Sequence, residues 1–153
     1  MHFLKVPFAM DRPLTKGRLV KSYGHLHYYE LDLRALGAAW SWVEVDKPIP
    51  LRPHRDHGIS VALNIYFETG DGLTSFYDGP EEGEAYEGET LKNIYKFNEL
   101  TKVSEFRAVR GDAFLLDVSQ IHSVTELKGP RSFIQASWSS YSLLQIAQHL
   151  IPG

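Results

Sequence analysis

Residues Ile59 to Phe67, ISVALNIYF, constrain the fold more than any other stretch of this chain. The odd positions, Ile59, Val61, Leu63, Ile65 and Phe67, are all apolar. The even positions, Ser60, Ala62, Asn64 and Tyr66, are smaller or polar. A period of two marks a strand with two unlike faces. Thr69-Gly70-Asp71-Gly72 then reads as a turn, and Leu73 to Tyr77 as the returning strand of a hairpin.

The same reading extends along the chain. The first 25 residues are irregular, punctuated by Pro7, Pro13 and Gly17. Strands are expected at Leu26–Leu33, Trp40–Asp46, Asn93–Phe97, Val103–Val109, Ala113–Leu116, Ile121–Glu126 and Arg131–Ser139, with one helical turn at Arg34–Ala39. Pro48, Pro50 and Pro53 forbid a central strand there and suggest an extended edge or loop. Pro80 to Glu89 carries five glutamates and reads as a solvated loop, or as a lid. Tyr141 to Leu150 is the best helix candidate. Many short strands, regular turns and one C-terminal helix indicate an all-β protein, a double-stranded β-helix or cupin-like jelly roll. With 153 residues the chain is expected to form one domain, residues 1–153, burying roughly 70% of its unfolded surface.

Composition narrows the chemistry. There is no cysteine, so disulfides, thiolate metal sites and a cysteine nucleophile are excluded. Any metal must be held by His, Asp or Glu. The net charge of −3 points away from nucleic acid. No stretch of ~18 apolar residues suggests a membrane span, and no basic segment followed by a long apolar run suggests a leader. A cytoplasmic location is the expectation.

Two short segments carry the chemistry. Pro53-His54-Arg55-Asp56-His57 comes first, and Ile121-His122-Ser123-Val124 comes later, with Arg131 nine residues after His122. On an extended backbone His54 and Asp56 point to one side. A barrel can bring His122 opposite them. Two imidazoles and one carboxylate suit Fe(II), Mn(II) or Zn(II) and leave coordination positions open. A turn at 54–57 would instead pair His54 with His57. If extension continues into the next strand, His54, Asp56, Ser60, Ala62, Asn64 and Tyr66 share a polar side, unless Gly58 breaks the register. Arg131 shares a side with Phe133, Gln135 and Ser137, and its planar fork suits a carboxylate.

From Trp42 to Trp138 the chain resembles the 2-oxoglutarate/Fe(II)-dependent oxygenase superfamily. The resemblance rests on His54-x-Asp56, on GDAFLLDVSQIHSV with His122 and Val124, and on Arg131. LNIYFETGDGLTSFYDG also resembles the hairpin of small aspartyl/asparaginyl- and prolyl-hydroxylase-like members. The resemblance implies Fe(II) held by His54, Asp56 and His122. It implies 2-oxoglutarate on the metal, its distal carboxylate on Arg131, with Asn64 and Tyr66 adding hydrogen bonds. The implied activity is hydroxylation of a substrate C–H bond with dioxygen, with decarboxylation of 2-oxoglutarate to succinate. Many members carry serine two residues after the arginine. Here that position is Phe133, and Ser132 should face the other way.

Two other readings stay open. One is a cupin-like metalloprotein with isomerase, lyase or 2-oxoglutarate-independent dioxygenase chemistry. The other is a non-catalytic jelly-roll binding module. His25 and His27 read as packing residues rather than ligands, and Trp40, Trp42 and Trp138 as core. Asp117 reads as a turn residue. Arg52 and Arg55 could attract an anionic substrate. Substrate and oligomeric state are not encoded in any motif here.

Overall fold

The computed structural model describes residues 1–13, 16–83 and 94–150. Eleven strands form two antiparallel sheets among them. The strands are β1 (Phe3–Val6), β2 (Leu19–Tyr23), β3 (Leu26–Glu30), β4 (Ala39–Val45), β5 (Leu51–His54) and β6 (Val61–Glu68). They continue with β7 (Leu73–Asp78), β8 (Thr101–Arg107), β9 (Ala113–Asp117), β10 (Ile121–Thr125) and β11 (Arg131–Trp138). Helix α1 covers Leu143–Leu150.

The major sheet has the order β1-β9-β6-β11-β4-β3-β2, and the minor sheet the order β5-β10-β7-β8. From β4 onward the chain passes back and forth between them. β4, β6, β9 and β11 fall in one sheet, while β5, β7, β8 and β10 fall in the other. That winding makes a double-stranded β-helix, the jelly-roll fold. Its edge strand β5 carries Pro53, which has no N–H to donate, and β5 pairs through the ladder with β10 alone.

Alternation in the central strands builds two apolar layers. On β6, Val61, Leu63 and Ile65 pack outward with Trp40, Trp42, Trp138 and the helix residues Leu143, Ile146 and Ala147. Ala62 and Tyr66 pack inward with Val43, Phe76, Phe106, Phe114 and Phe133, between the two sheets. The helix begins at Leu143, two residues after the expected Tyr141, with Ser142 at its cap. Ser142 N–H donates to Gln145 Oε1 (2.8 Å), and Gln145 N–H donates to Ser142 Oγ (3.2 Å). This reciprocal pair satisfies two helix-end donors.

Five expectations change. The hairpin expected of Ile59–Phe67 and Leu73–Tyr77 does not form: β6 pairs with β9 and β11 and β7 with β10 and β8, so the turn at 69–72 carries the chain from one sheet to the other. The N-terminal 25 residues are not irregular throughout. β1 adds to β9, and β2 pairs with β3 through a two-residue turn. Gly24 takes φ 60° at the first turn position, as a type II′ hairpin requires. Residues 34–39 form no helical turn; Leu36 and Gly37 adopt left-handed φ of 61° and 64°. No strand runs to Phe97. Ile94 makes a single bridge to His54, and Phe97–Glu99 is a 3-10 turn. Strand β5 stops at His54 and the chain then changes sheets, with Gly58 at φ 73°. The acidic stretch falls largely outside the described residues, from 84 onward. Among the described residues no helix is long and apolar enough to cross a membrane.

Candidate metal centre and buried arginine

His54 ends β5, and its direct ladder partner across the antiparallel pair is His122 on β10. Directly opposed side chains of one sheet face are close neighbours. Their imidazole centroids lie 4.3 Å apart. Phe76, the partner of His122 on the other flank, sits 6.0 Å from its ring and forms part of the apolar floor. Asp56 lies past the strand end. Its N–H donates to the Val118 carbonyl (2.9 Å), which carries the carboxylate back beneath the imidazoles.

Asp56 Oδ1 is 3.3 Å from His54 Nε2 and 3.2 Å from His122 Nε2. One ligand atom from each of the three residues lies within 4.8 Å of the others. Among the described residues they form the only such group of three able to hold a metal ion. His57 is exposed and stands outside it.

The tautomers follow from the hydrogen bonds. His54 Nδ1 contacts the Arg52 carbonyl (2.6 Å), and His122 Nδ1 contacts the Gln120 carbonyl (2.8 Å). A carbonyl only accepts, so each Nδ1 carries a proton. In its neutral form each ring turns an Nε2 lone pair toward a carboxylate oxygen that also has only lone pairs. Such an arrangement of acceptors calls for a cation between them, a proton or a metal. The donor set fits a first-row divalent metal, and carbonyl-oriented imidazoles are the usual support for one.

The charges respond accordingly. Burial works to raise the Asp56 carboxyl, but His122 and His54 outweigh it and hold the group well below the usual carboxylate range. Burial works to lower the His54 imidazole, but Asp56 and the Arg52 carbonyl outweigh it and raise that group above its usual value.

Arg131 opens β11 and is buried, 5% exposed. It faces the interior with Phe133, whose ring lies 5.2 Å from the guanidinium carbon, and with Tyr66 at 5.1 Å. One N–H donates to the Tyr66 hydroxyl (3.2 Å). No carboxylate pairs with Arg131 among the described residues. Asn64 Nδ2 also donates to the Tyr66 hydroxyl (3.2 Å), while Asn64 Oδ1 accepts from Gln135 Nε2 (3.0 Å). The Tyr66 oxygen thus accepts two hydrogen bonds and keeps its own proton to give. Ser132 points the other way, in the ladder row of Glu44 and Glu68. Ser60 leaves the interior set: its hydroxyl bonds the Trp138 and Tyr141 carbonyls at the sheet end.

The remaining candidates take structural places. Arg55 donates to the Tyr95 hydroxyl (3.0 Å) and the Ser119 carbonyl (2.6 Å). His25 and His27 hold the two oxygens of Asp46, at 3.2 and 3.0 Å. Asp117 accepts from the Ser119 backbone and hydroxyl. Sequence reading passed over Tyr28, an interior-facing phenol on β3. Its signal was the strand-like LHYYELDL itself, whose even positions carry it to the same side as Leu26.

No family model and no curated protein matches the chain. Among solved structures it is similar to the epimerase SnoN in complex with Fe3+, alpha-ketoglutarate and nogalamycin RO, with TM-score 0.45 and 14% identity. That likeness covers 65% of this chain and 47% of SnoN. A second structure, of the non-heme alpha-ketoglutarate-dependent epimerase SnoN from nogalamycin biosynthesis, gives TM-score 0.40 and 15% identity over 65% and 44%. In both cases this chain spans less than half the length of the protein it resembles.

Proposed function

We propose that this protein is a 2-oxoglutarate- and Fe(II)-dependent oxygenase that hydroxylates a substrate C–H bond. One observation carries the reading: two carbonyl-oriented imidazoles and a carboxylate converge inside the same barrel that buries a guanidinium without a carboxylate partner. Either feature alone would fit a cupin-like metalloprotein or a binding module. The pair calls for a metal and an anion together.

His54, Asp56 and His122 would hold the metal and leave the facing positions open. Arg131 would pair with the distal carboxylate of 2-oxoglutarate, and Tyr66 would donate its hydroxyl proton to the same group. Asn64 acts on that site through Tyr66, because its own carbonyl is engaged by Gln135. Bound iron supplies the oxidising chemistry, in which 2-oxoglutarate, dioxygen and R–H become succinate, CO2 and R–OH. Phe76 borders His122 on the apolar side of the site, and the Nδ1–H groups of both histidines would stay hydrogen-bonded to the Arg52 and Gln120 carbonyls. The three metal ligands include a carboxylate, so hydroxyl transfer is the favoured outcome over halide transfer.

An anaerobic titration of the Fe(II)-loaded protein with 2-oxoglutarate, followed by its charge-transfer absorption, tests this. A band in the parent that disappears in His122→Ala supports it. So does a need for far more 2-oxoglutarate in Arg131→Ala. A folded, iron-loaded protein with no band would replace this reading with the cupin-like one. No metal uptake at all would leave a binding module.

A further inference from the structure

The β2–β3 hairpin extends the major sheet two strands past β4, and its interior face bears an unusual set of side chains. In the ladder Tyr28 lies opposite Val43, Val43 opposite Phe133, and Phe133 opposite Tyr66. Tyr28 therefore stands in one cross-strand row with the residues that hold Arg131. Leu26 and Tyr28 pack against the interior cluster between the sheets. On β2, Lys21 pairs with Tyr28 and Tyr23 with Leu26, which puts Lys21 and Tyr23 on that same face.

These groups touch. The Tyr23 ring meets the Tyr28 ring edge-on, centroids 6.2 Å apart at 88°. Lys21 Nζ lies 4.7 Å from the Tyr28 centroid and 5.6 Å from that of Tyr23. Every residue of β2 is exposed, and Tyr23 is 58% exposed. Neighbouring cations of the N-terminal segment are neutralised: Arg12 by Glu68, Lys16 by Glu44 and Arg18 by Glu30. Lys21 has no carboxylate partner among the described residues. The Tyr28 hydroxyl likewise has no hydrogen-bond partner among them. Burial raises the Tyr28 phenol above its usual value, with Asp56 adding and Arg131 opposing. The ladder row through Val43, Phe133 and Tyr66 places this phenol on the sheet face that carries the buried arginine.

We propose that this face is the substrate shelf of the metal site and that it takes a small aromatic acid. The substrate ring would lie against Tyr23, where aromatic surface stands open to solvent. Its anionic group would meet the Lys21 ammonium, which has no carboxylate partner among the described residues. The neutral Tyr28 hydroxyl would donate at the edge facing the metal. Charge complementarity selects this occupant over a neutral ring, and ring contact selects it over an aliphatic acid. The inference rests on the oxygenase reading above, in that the shelf serves the metal centre.

Three probes separate these terms: phenylacetate, its neutral isostere phenylacetamide, and its non-aromatic isostere cyclohexylacetate. Binding to the full chain is measured calorimetrically, and proximity to the metal by the relaxation of ring protons when Mn(II) and 2-oxoglutarate are present. Phenylacetate is expected to bind best and to show Mn(II)-dependent relaxation. Lys21→Glu should weaken phenylacetate at least about tenfold, the scale of one charge-assisted hydrogen bond, and leave phenylacetamide unchanged. Tyr23→Ala should weaken both phenyl probes. Both substitutions sit on an exposed strand, and circular dichroism checks that the fold is kept. Equal binding of the three probes overturns the proposal, as does a Lys21→Glu protein with unaltered phenylacetate affinity. If Mn(II) fails to bind while phenylacetate discrimination persists, the oxygenase reading fails and the shelf stands. If Mn(II) and 2-oxoglutarate bind but phenylacetate does not, the shelf fails alone.

Discussion

Asp56 faces two imidazole nitrogens at once, and the protonation of those neighbours decides whether that helps the fold. In metal-free protein the depressed Asp56 carboxyl contributes stability above its ordinary pKa, about 3.9, and loses it as pH falls below. His54 has the opposite sign. Its raised pKa contributes stability below the ordinary value, about 6.5, and loses it as pH rises through the raised value. The metal-free site therefore supports the fold best between these limits. Metal must displace the His54 proton, so metal affinity should climb as pH rises past about 6.5. Thermal melts in chelator across pH 4 to 8 check this. A profile unchanged by His54→Ala would count against it. Arg131 poses a second residue-scale question. A buried cation without a counter-charge is costly, and an apolar side chain of similar length removes that cost. Arg131→Met should leave the 2-oxoglutarate-free protein as stable as the parent or more so. The same substitution should weaken 2-oxoglutarate by at least about 30-fold, the low end for loss of a buried charge pair. A large loss of stability without 2-oxoglutarate would mean the arginine is a structural group.

At the scale of elements, the site depends on two inter-sheet connections that lock each other. The β6–β7 turn has Gly70 and Asp71 at φ of 57° each. Lys128 N–H, in the β10–β11 connection, donates to the Gly70 carbonyl (2.8 Å). A Cβ on Gly70 would lie 2.5 Å from the Gly129 carbonyl oxygen. Gly70→Ala should therefore cost about 2–4 kcal/mol, combining left-handed strain with a backbone clash. Gly129→Ala meets nothing within 4 Å and needs no positive φ. That change should stay within about 0.5 kcal/mol, the usual size for an unencumbered surface position. Urea denaturation of the two variants decides, and equal costs would refute the locking argument.

For the molecule as a whole, the interior aromatic layer and the candidate metal centre share one space. Phe3 from β1 packs on Phe76, Phe106 and Phe114, and Phe76 in turn borders His122. The N-terminal strand thereby closes the barrel beneath the ligands. A metal that binds only the folded barrel stabilises it by mass action, about 2.7 kcal/mol at a hundredfold excess over Kd. For a chain of this size that should raise Tm by about 5–11 °C. His122→Ala should abolish the shift, and scanning fluorimetry with Fe(II) under argon or with Mn(II) measures it. A shift of equal size in His122→Ala would place the metal elsewhere.

Much of this was legible in order along the chain. The alternation of ISVALNIYF sorted Val61, Leu63 and Ile65 from Ala62, Asn64 and Tyr66, because opposite projection of neighbouring side chains is a local property of extended backbone. The same rule put Phe133 beside Arg131 and Ser132 behind it. Residue types alone limited a metal to imidazole and carboxylate. The parity argument failed at Ser60, where the chain changes sheets and Gly58 turns it. It grouped Asp56 with His54 by strand parity, but the strand ends at His54 and Asp56 reaches the imidazoles with a backbone bond to Val118. The first 25 residues hid two strands because their pairing partners, β9 and β3, supply what their own pattern lacks. The meeting of His54 with His122, and of Lys21 with Tyr28, was decided only in the tertiary structure. Ladder register depends on which distant strands pair and on the turns that join them, and no local periodicity carries that information.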